Sequence, residues 1–201
     1  ASSVAGYVAG GEFVSLSYVD TVDKFAFSND SLSTLGTGVS SARGYIAGFA
    51  SSTAGYAAGG TISGASNVAT IDKFAFADDS RTTLATGLSS TLQGSSGFAS
   101  ASNGYVAGGT TGSRVTTVNK FAFSDDSRTT LGTGLSTARN AAGSFASDVA
   151  GYVAGGYDGA VASTVNKFAF SDDSRTVLGT GLSAGSLGQA GFSGTTSSWG
   201  I

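Results

Sequence analysis

The concentrated carboxylates of this chain are three adjacent pairs, Asp78-Asp79, Asp125-Asp126 and Asp172-Asp173, each followed closely by Arg81, Arg128 or Arg175. Neighbouring side chains in a turn point apart, so such pairs are poorly placed to act as a general acid and its base. Clustered oxygens can contribute to a calcium site, but the spaced ligand series of a calcium loop is missing. The alternative is a solvated turn held by local hydrogen bonds. A first, degenerate copy reads Asn29-Asp30-Ser31-Leu32, without the leading Asp or the Arg. Four lysines, Lys24, Lys73, Lys120 and Lys167, share one place in the pattern. A ring of them would favour anions; pairing with Asp23 or Asp72, or a path along neighbouring Phe, would make them structural. Tyr7, Tyr56, Tyr105 and Tyr152 are framed by Gly and Ala, which suits packing within a sheet better than a sugar-stacking ring. The chain has no His and no Cys. That excludes disulfides, thiolate or imidazole metal sites, and Ser-His or Cys-His nucleophiles. The Gly-Thr-Gly-Leu-Ser segments lack the Lys and the following helix of a phosphate loop. No catalytic residue, no metal site and no cofactor are therefore expected, and the protein reads as non-enzymatic.

The elements that carry these residues are repeats. The four lysines are spaced 49, 47 and 47 residues apart, and each of the first three precedes the next Tyr by 32. All variation in length falls between a Gly-Gly doublet and the Lys, which marks a surface loop on a constant scaffold. Within a unit, Thr117-Val118-Asn119-Lys120-Phe121-Ala122-Phe123 alternates as a strand does, with Phe121 and Phe123 on one face. A turn at Asp125-Asp126-Ser127-Arg128 follows, then strands beginning at Thr129, around Phe145 and around Tyr152. Four short strands thus recur in about 47 residues, and Gly is too frequent for a long helix.

The composition fits this. In 201 residues there are 32 Gly and no Pro or Met, 11% of the chain is charged, 40% is hydrophobic, and the net charge is -3. The length can bury a real core. Mild acidity with scattered Lys and Arg argues against a nucleic-acid surface. No basic, apolar signal segment is visible, and apolar runs are too short to span a membrane. The absence of Met implies either a removed initiator or a processed piece.

Four-stranded units repeated radially are the blades of a β-propeller. The expected fold is all-β: a single repeat domain over 1–201, with blades near 1–42, 43–91, 92–138 and 139–185 and a closing strand and tail at 186–201. Gly-Phe-Ala-Ser, Gly-Tyr-Val-Ala-Gly-Gly, a variable loop, Val-Asn-Lys-Phe-Ala-Phe and Asp-Asp-Ser-Arg-Thr, in that order, resemble a kelch repeat over nearly the whole chain. The doublets stand at Gly10-Gly11, Gly59-Gly60, Gly108-Gly109 and Gly155-Gly156; the family's later Trp is replaced by Leu35, Leu84, Leu131 and Leu178. The wording is similar to kelch-like repeat proteins encoded by phages of cyanobacteria and aquatic bacteria. That resemblance implies a virion or tail-associated protein, or another extracellular appendage, with other virion or appendage proteins as partners.

The chain opens on the second strand of a unit, and Gly191-Phe192-Ser193-Gly194 matches the missing first one, so pairing of the N- and C-terminal strands is expected to close the ring. Trp199 falls where a fifth Tyr would stand. A tail carrying Trp199 and Ile201 would dock either as an extra edge or on another subunit, giving a homo-oligomer. Specificity is expected where repeats differ, in the loops after each doublet. Glu12, Phe13, Tyr18, Arg114, Tyr157 and Asp158 are the candidate contact residues for a protein or a surface glycan. Two functions remain: a structural component that docks on partners or on copies of itself, and a carbohydrate-recognition module.

Overall fold

A computed structural model describes Ser2, residues 4–14 and residues 17–192. Trp199 and Ile201 lie outside the described residues, as do the last two positions of the expected closing strand. The described chain is all-β, with small antiparallel sheets and no helix. Three sheets have four strands each. The second sheet holds Ala47–Ala50, Ala54–Ala58, Ile71–Ala75 and Arg81–Thr83. The third holds Ser96–Ala99, Asn103–Ala107, Val118–Ala122 and Arg128–Thr130. The fourth holds Gly143–Ala146, Ala150–Ala154, Val165–Ala169 and Arg175–Val177. Strands follow one another in space as in sequence, so each sheet is a meander. The first sheet has three strands, Ala5–Val14, Ser17–Ala26 and Ser31–Thr34, and no described strand takes its innermost position. A small further sheet joins Arg43–Gly44, Thr61–Ile62 and Ser66–Asn67. This is consistent with a β-propeller. No sheet closes the two ends of the chain on each other among the described residues.

Register explains why the repeats stack. In the third sheet Phe98 pairs with Tyr105, and Tyr105 with Lys120, so the three form one row across one face. Gly104, Phe121 and Arg128 form the adjacent row on the opposite face. The second and fourth sheets repeat both rows, and the first repeats them without the inner Phe and with Leu32 in place of Arg. Each sheet therefore has a lysine face and a glycine face, and the lysine face of one packs on the glycine face of the next.

The fit is bulky into bare. A Cβ on Gly104 would overlap the Phe49 ring, and one on Gly151 would overlap Phe98, so glycine is the seat that admits the preceding sheet's Phe. Phe98 stacks on its own Tyr105 at 5.0 Å and meets Phe168 and Phe170 of the next sheet at 6.1 and 6.4 Å. Phe49, Tyr56, Phe121 and Phe123 repeat the cluster one joint earlier. Both faces of these strands are covered: Val118 and Asn119, neighbours on opposite faces, are both buried, and so is Phe121. The Gly-Gly doublets have another cause: both residues of each have positive φ, such as 66° and 101° at Gly108 and Gly109. L side chains disfavour that conformation.

Candidate functional site

The aspartate pairs divide their work. The first of each pair caps its own turn: Asp78, Asp125 and Asp172 accept from the amides of Ser80, Ser127 and Ser174. The serine hydroxyl first, and its amide after it, hold these exposed carboxyls below their usual range. The second sits in the left-handed region, with φ of 58°, 56° and 57° at Asp79, Asp126 and Asp173, which Asp tolerates better than most residues. That conformation sends its carboxylate to the preceding sheet. Asp126 accepts from the Tyr56 hydroxyl at 3.0 Å and from Lys73 Nζ at 2.7 Å. Asp173 accepts from Tyr105 and Lys120 at 3.0 and 2.7 Å, and Asp79 from Tyr7 and Lys24 at 2.7 and 2.6 Å. Each ammonium lies within 5.8 Å of the centre of its Tyr ring, a cation–π arrangement.

The lysines therefore pair neither with Asp23 nor with Asp72. Asp23 accepts from Thr34, and Asp72 is buried in another network. Burial, and after it the carboxylate hydrogen bond, raises the Tyr56 and Tyr105 hydroxyls above their usual range. Donation to Asp79 raises Lys24. The ion pairs are about a quarter exposed, so each is worth on the order of 1 kcal/mol. They orient the joint more than they hold it. Arg81 and Arg128 extend it by donating to the carbonyls of Gly38 and Gly87 in the preceding unit.

A second feature is a fully buried ion pair between Arg43 Nη2 and Asp72 Oδ2 at 2.8 Å. Asp72 also accepts from the Ser40 amide and hydroxyl and from Thr83. Arg139 takes the place of Arg43 two repeats on, but it donates to the carbonyls of Gly155 and Thr164 instead of a carboxylate. Burial lowers its pKa. At the same place in the third repeat Leu92 is buried, and Asn119 replaces Asp72. Burial alone would raise the Asp72 carboxyl, yet donation from Thr83, Ser40 and Arg43 offsets this and holds it below its usual range. A depressed carboxyl contributes stability that is fully present above its unfolded pKa of about 3.9 and is lost as pH falls through the folded value. The chain is thus expected to lose stability on acidification below about pH 4, by at most about 1.4 kcal/mol per pH unit for this proton. A variant with Arg43→Leu and Asp72→Asn should show a shallower acid limb in thermal melts at stepped pH, and an unchanged limb would contradict the assignment.

The loop residues form two groups. Arg114 lies over the Tyr157 ring at 4.8 Å, and the adjacent Asp158 carboxylate receives the Thr137 hydroxyl at 3.5 Å. Tyr45 donates to Glu12 at 2.8 Å and meets Tyr18 edge-on. Phe13 is 78% exposed. Tyr18, expected at the surface, is buried, because its ring packs against the bare backbone of Gly44.

The two ends of the array carry unmatched halves of the joint. On the first sheet's glycine face, Phe25, Phe27 and Leu32 are 42%, 60% and 57% exposed, whereas Phe74 and Phe121 in the matching place are buried. Asp30 has φ of 54°, as its three counterparts do, with no partner among the described residues. On the fourth sheet's lysine face Tyr152 stacks on Phe145 at 4.8 Å, and neither Tyr152 nor Lys167 has a carboxylate partner among the described residues. Beyond it, Gly191 lies against the Ser144 backbone as Gly97 lies against Gly48, so residues 191–192 occupy the inner-strand place of a further unit. Phe192 is 91% exposed there. Correspondingly, a cleft of about 410 Å³ opens where the first sheet lacks its inner strand, walled by Tyr7, Phe49, Gly55 and Phe76.

No family model matches the chain, and no curated protein matches it. A solved structure described as that of YjhT is similar in fold, with a TM-score of 0.80 and 12% identity over 94% of this chain and 71% of that one.

Proposed function

We propose that this chain is a non-enzymatic interaction protein: a four-bladed, kelch-like β-propeller array, one blade per sheet, whose first blade is completed by a C-terminal strand of the kind that begins at Gly191 and Phe192, from the same chain or from another copy. Its work is contact with other proteins of a virion or extracellular appendage. The observation that carries this reading is the unmatched half-joint at each end of the array, exposed on the first sheet and half-buried on the fourth, since large apolar residues flanked by oriented polar groups are what an interface buries. Phe25, Phe27 and Asp30 supply one half, and Phe145, Tyr152 and Lys167 the other.

A carbohydrate-recognition reading draws on a different observation, the half-exposed Tyr157 ring with Arg114 over it and Asp158 beside it. A glycan array separates the two. Silence at every protein concentration is the expected result. Dose-dependent binding lost in Tyr157→Ala and in Arg114→Ala would replace the scaffold reading with recognition.

A further inference from the structure

We propose that the two half-joints meet between copies, so that the first sheet of one chain docks head-to-tail on the fourth sheet of a second copy. This rests on the reading of the protein as a contact module and names its partner. The three joints inside the chain specify what each half accepts. Phe49 and Phe98 seat on Gly104 and Gly151, and Phe145 is the next member of that series, while Gly6 is the seat left unfilled. Phe123 and Phe170 stack on the Tyr of the preceding sheet at 5.5 Å, and Phe27 is the member of that series without a tyrosine from a preceding sheet. Asp79, Asp126 and Asp173 each receive a Tyr hydroxyl and a Lys ammonium. Asp30 already has the backbone conformation for this, and Tyr152 with Lys167 is the pair that lacks a carboxylate among the described residues.

The same docking supplies the missing strand. Gly191 and Phe192 stand past the fourth sheet, in the inner-strand place of the unit that would follow. A first sheet arriving there would gain an inner strand along its Ala5–Ala9 edge, where no inner strand pairs among the described residues. Phe192 would then lie on the second copy's Tyr7, as Phe49, Phe98 and Phe145 lie on Tyr56, Tyr105 and Tyr152. It would enter that copy's cleft beside Gly55. Charge, ring stacking, the glycine seat and the strand edge all ask for one partner, and the surface that satisfies all four is the opposite end of this same chain.

One observation favours a second copy over closure of one chain on itself: the two ends do not cover each other in the same molecule, with Phe27 60% and Phe192 91% exposed. A head-to-tail contact is heterologous, and it gives a closed ring or an open filament according to the rotation per copy.

Charge reversal tests this by complementation. Asp30→Lys places two lysines at the joint, and Lys167→Asp places two carboxylates there; both positions are on the surface, so the fold is kept. By sedimentation at increasing concentration, the unaltered chain is expected to associate, and each variant to do so at least about thirtyfold more weakly. Mixing the two variants restores opposite charges at every joint, and association should return. Phe27→Asp is a second, uncharged-pair-independent block and should weaken association alike. An unaltered chain that stays monomeric, or a mixture that associates no better than the separate variants, overturns the proposal. A monomer whose melting temperature falls in both Asp30→Lys and Lys167→Asp would show instead that the joint closes within one chain. Either result leaves the contact-module reading to the glycan array, which separates failure of the partner from failure of the function.

Discussion

Arg43→Leu is expected to destabilise the chain by about 3–5 kcal/mol, the typical cost of removing one member of a buried ion pair. Asp72 would remain fully buried, its Oδ2 deprived of the Arg43 guanidinium, while the Ser40 and Thr83 donors persist and the Arg81 Nε stays 3.9 Å from its Oδ1. Asp72→Asn by itself is costly for the converse reason, since Arg43 would keep a buried charge with only the Ala57 carbonyl and serine hydroxyls around it. The double change is different. It writes into the second repeat what the third already has, Leu92 with Asn119, where Asn119 Oδ1 accepts from the Ser89 amide at 3.1 Å. A well-packed apolar replacement of a buried ion pair is often neutral. Most of the lost stability should therefore return in Arg43→Leu with Asp72→Asn, giving a coupling of several kcal/mol in a double-mutant cycle read by urea unfolding. Additive losses would mean that the pair does not act as a unit.

Phe98→Ala should cost a similar amount, about 3–5 kcal/mol, as for other buried Phe truncations. The ring bridges two sheets: it stacks on Tyr105, meets Phe168 and Phe170, and fills the space kept bare by Gly151. Removing it empties the joint, which Ala cannot refill. Phe145→Ala offers the matched control. That ring has the same Tyr partner but no following sheet, so in dilute chain the loss should be smaller, about 1–2 kcal/mol, in line with a partly buried side chain. Equal losses at Phe98 and Phe145 would show that inter-sheet packing is not what the Phe series provides.

The strands and their repetition were legible because one alternating segment recurs at nearly fixed spacing. The turn at each aspartate pair was legible as well. Its second role was not, because the carboxylate and its lysine come from different units. Lys24 and Asp79 are 55 residues apart, and Lys73 and Asp126 are 53 apart. The signal was nevertheless present: the degenerate first turn loses its leading Asp and its Arg but keeps Asp30. A side chain used only for its own turn would not need to be the one retained. Arg43 and Arg139 escaped comparison of the repeats because Leu92 and Ser186 fill the same place in the others. The burial of Tyr18 followed from Gly44, a contact between repeats that no local pattern encodes. Pairing of the terminal strands, read from the match of Gly191-Phe192 to Gly97-Phe98, is not seen among the described residues. The segment stands against Ser144, and the Ala5–Ala9 edge that it suits has no second strand there.

The central claim is that one joint, used three times within the chain, has its two halves displayed at the ends for another copy. Spin-label distances test it most directly, because a chain without Cys accepts labels only where cysteines are introduced. Ser80→Cys with Ser33→Cys reports an internal joint, as Ser80 follows Asp79 and Ser33 pairs across from Lys24. Ser31→Cys and Thr176→Cys are the equivalent positions at the two ends, since Ser31 follows Asp30 and Thr176 pairs across from Lys167. With each end label on a separate chain, the account predicts that mixing gives the internal pair's distance, and that diluting with unlabelled chain removes it. No distance between labelled copies, or one that survives dilution when both labels are on one chain, would contradict it.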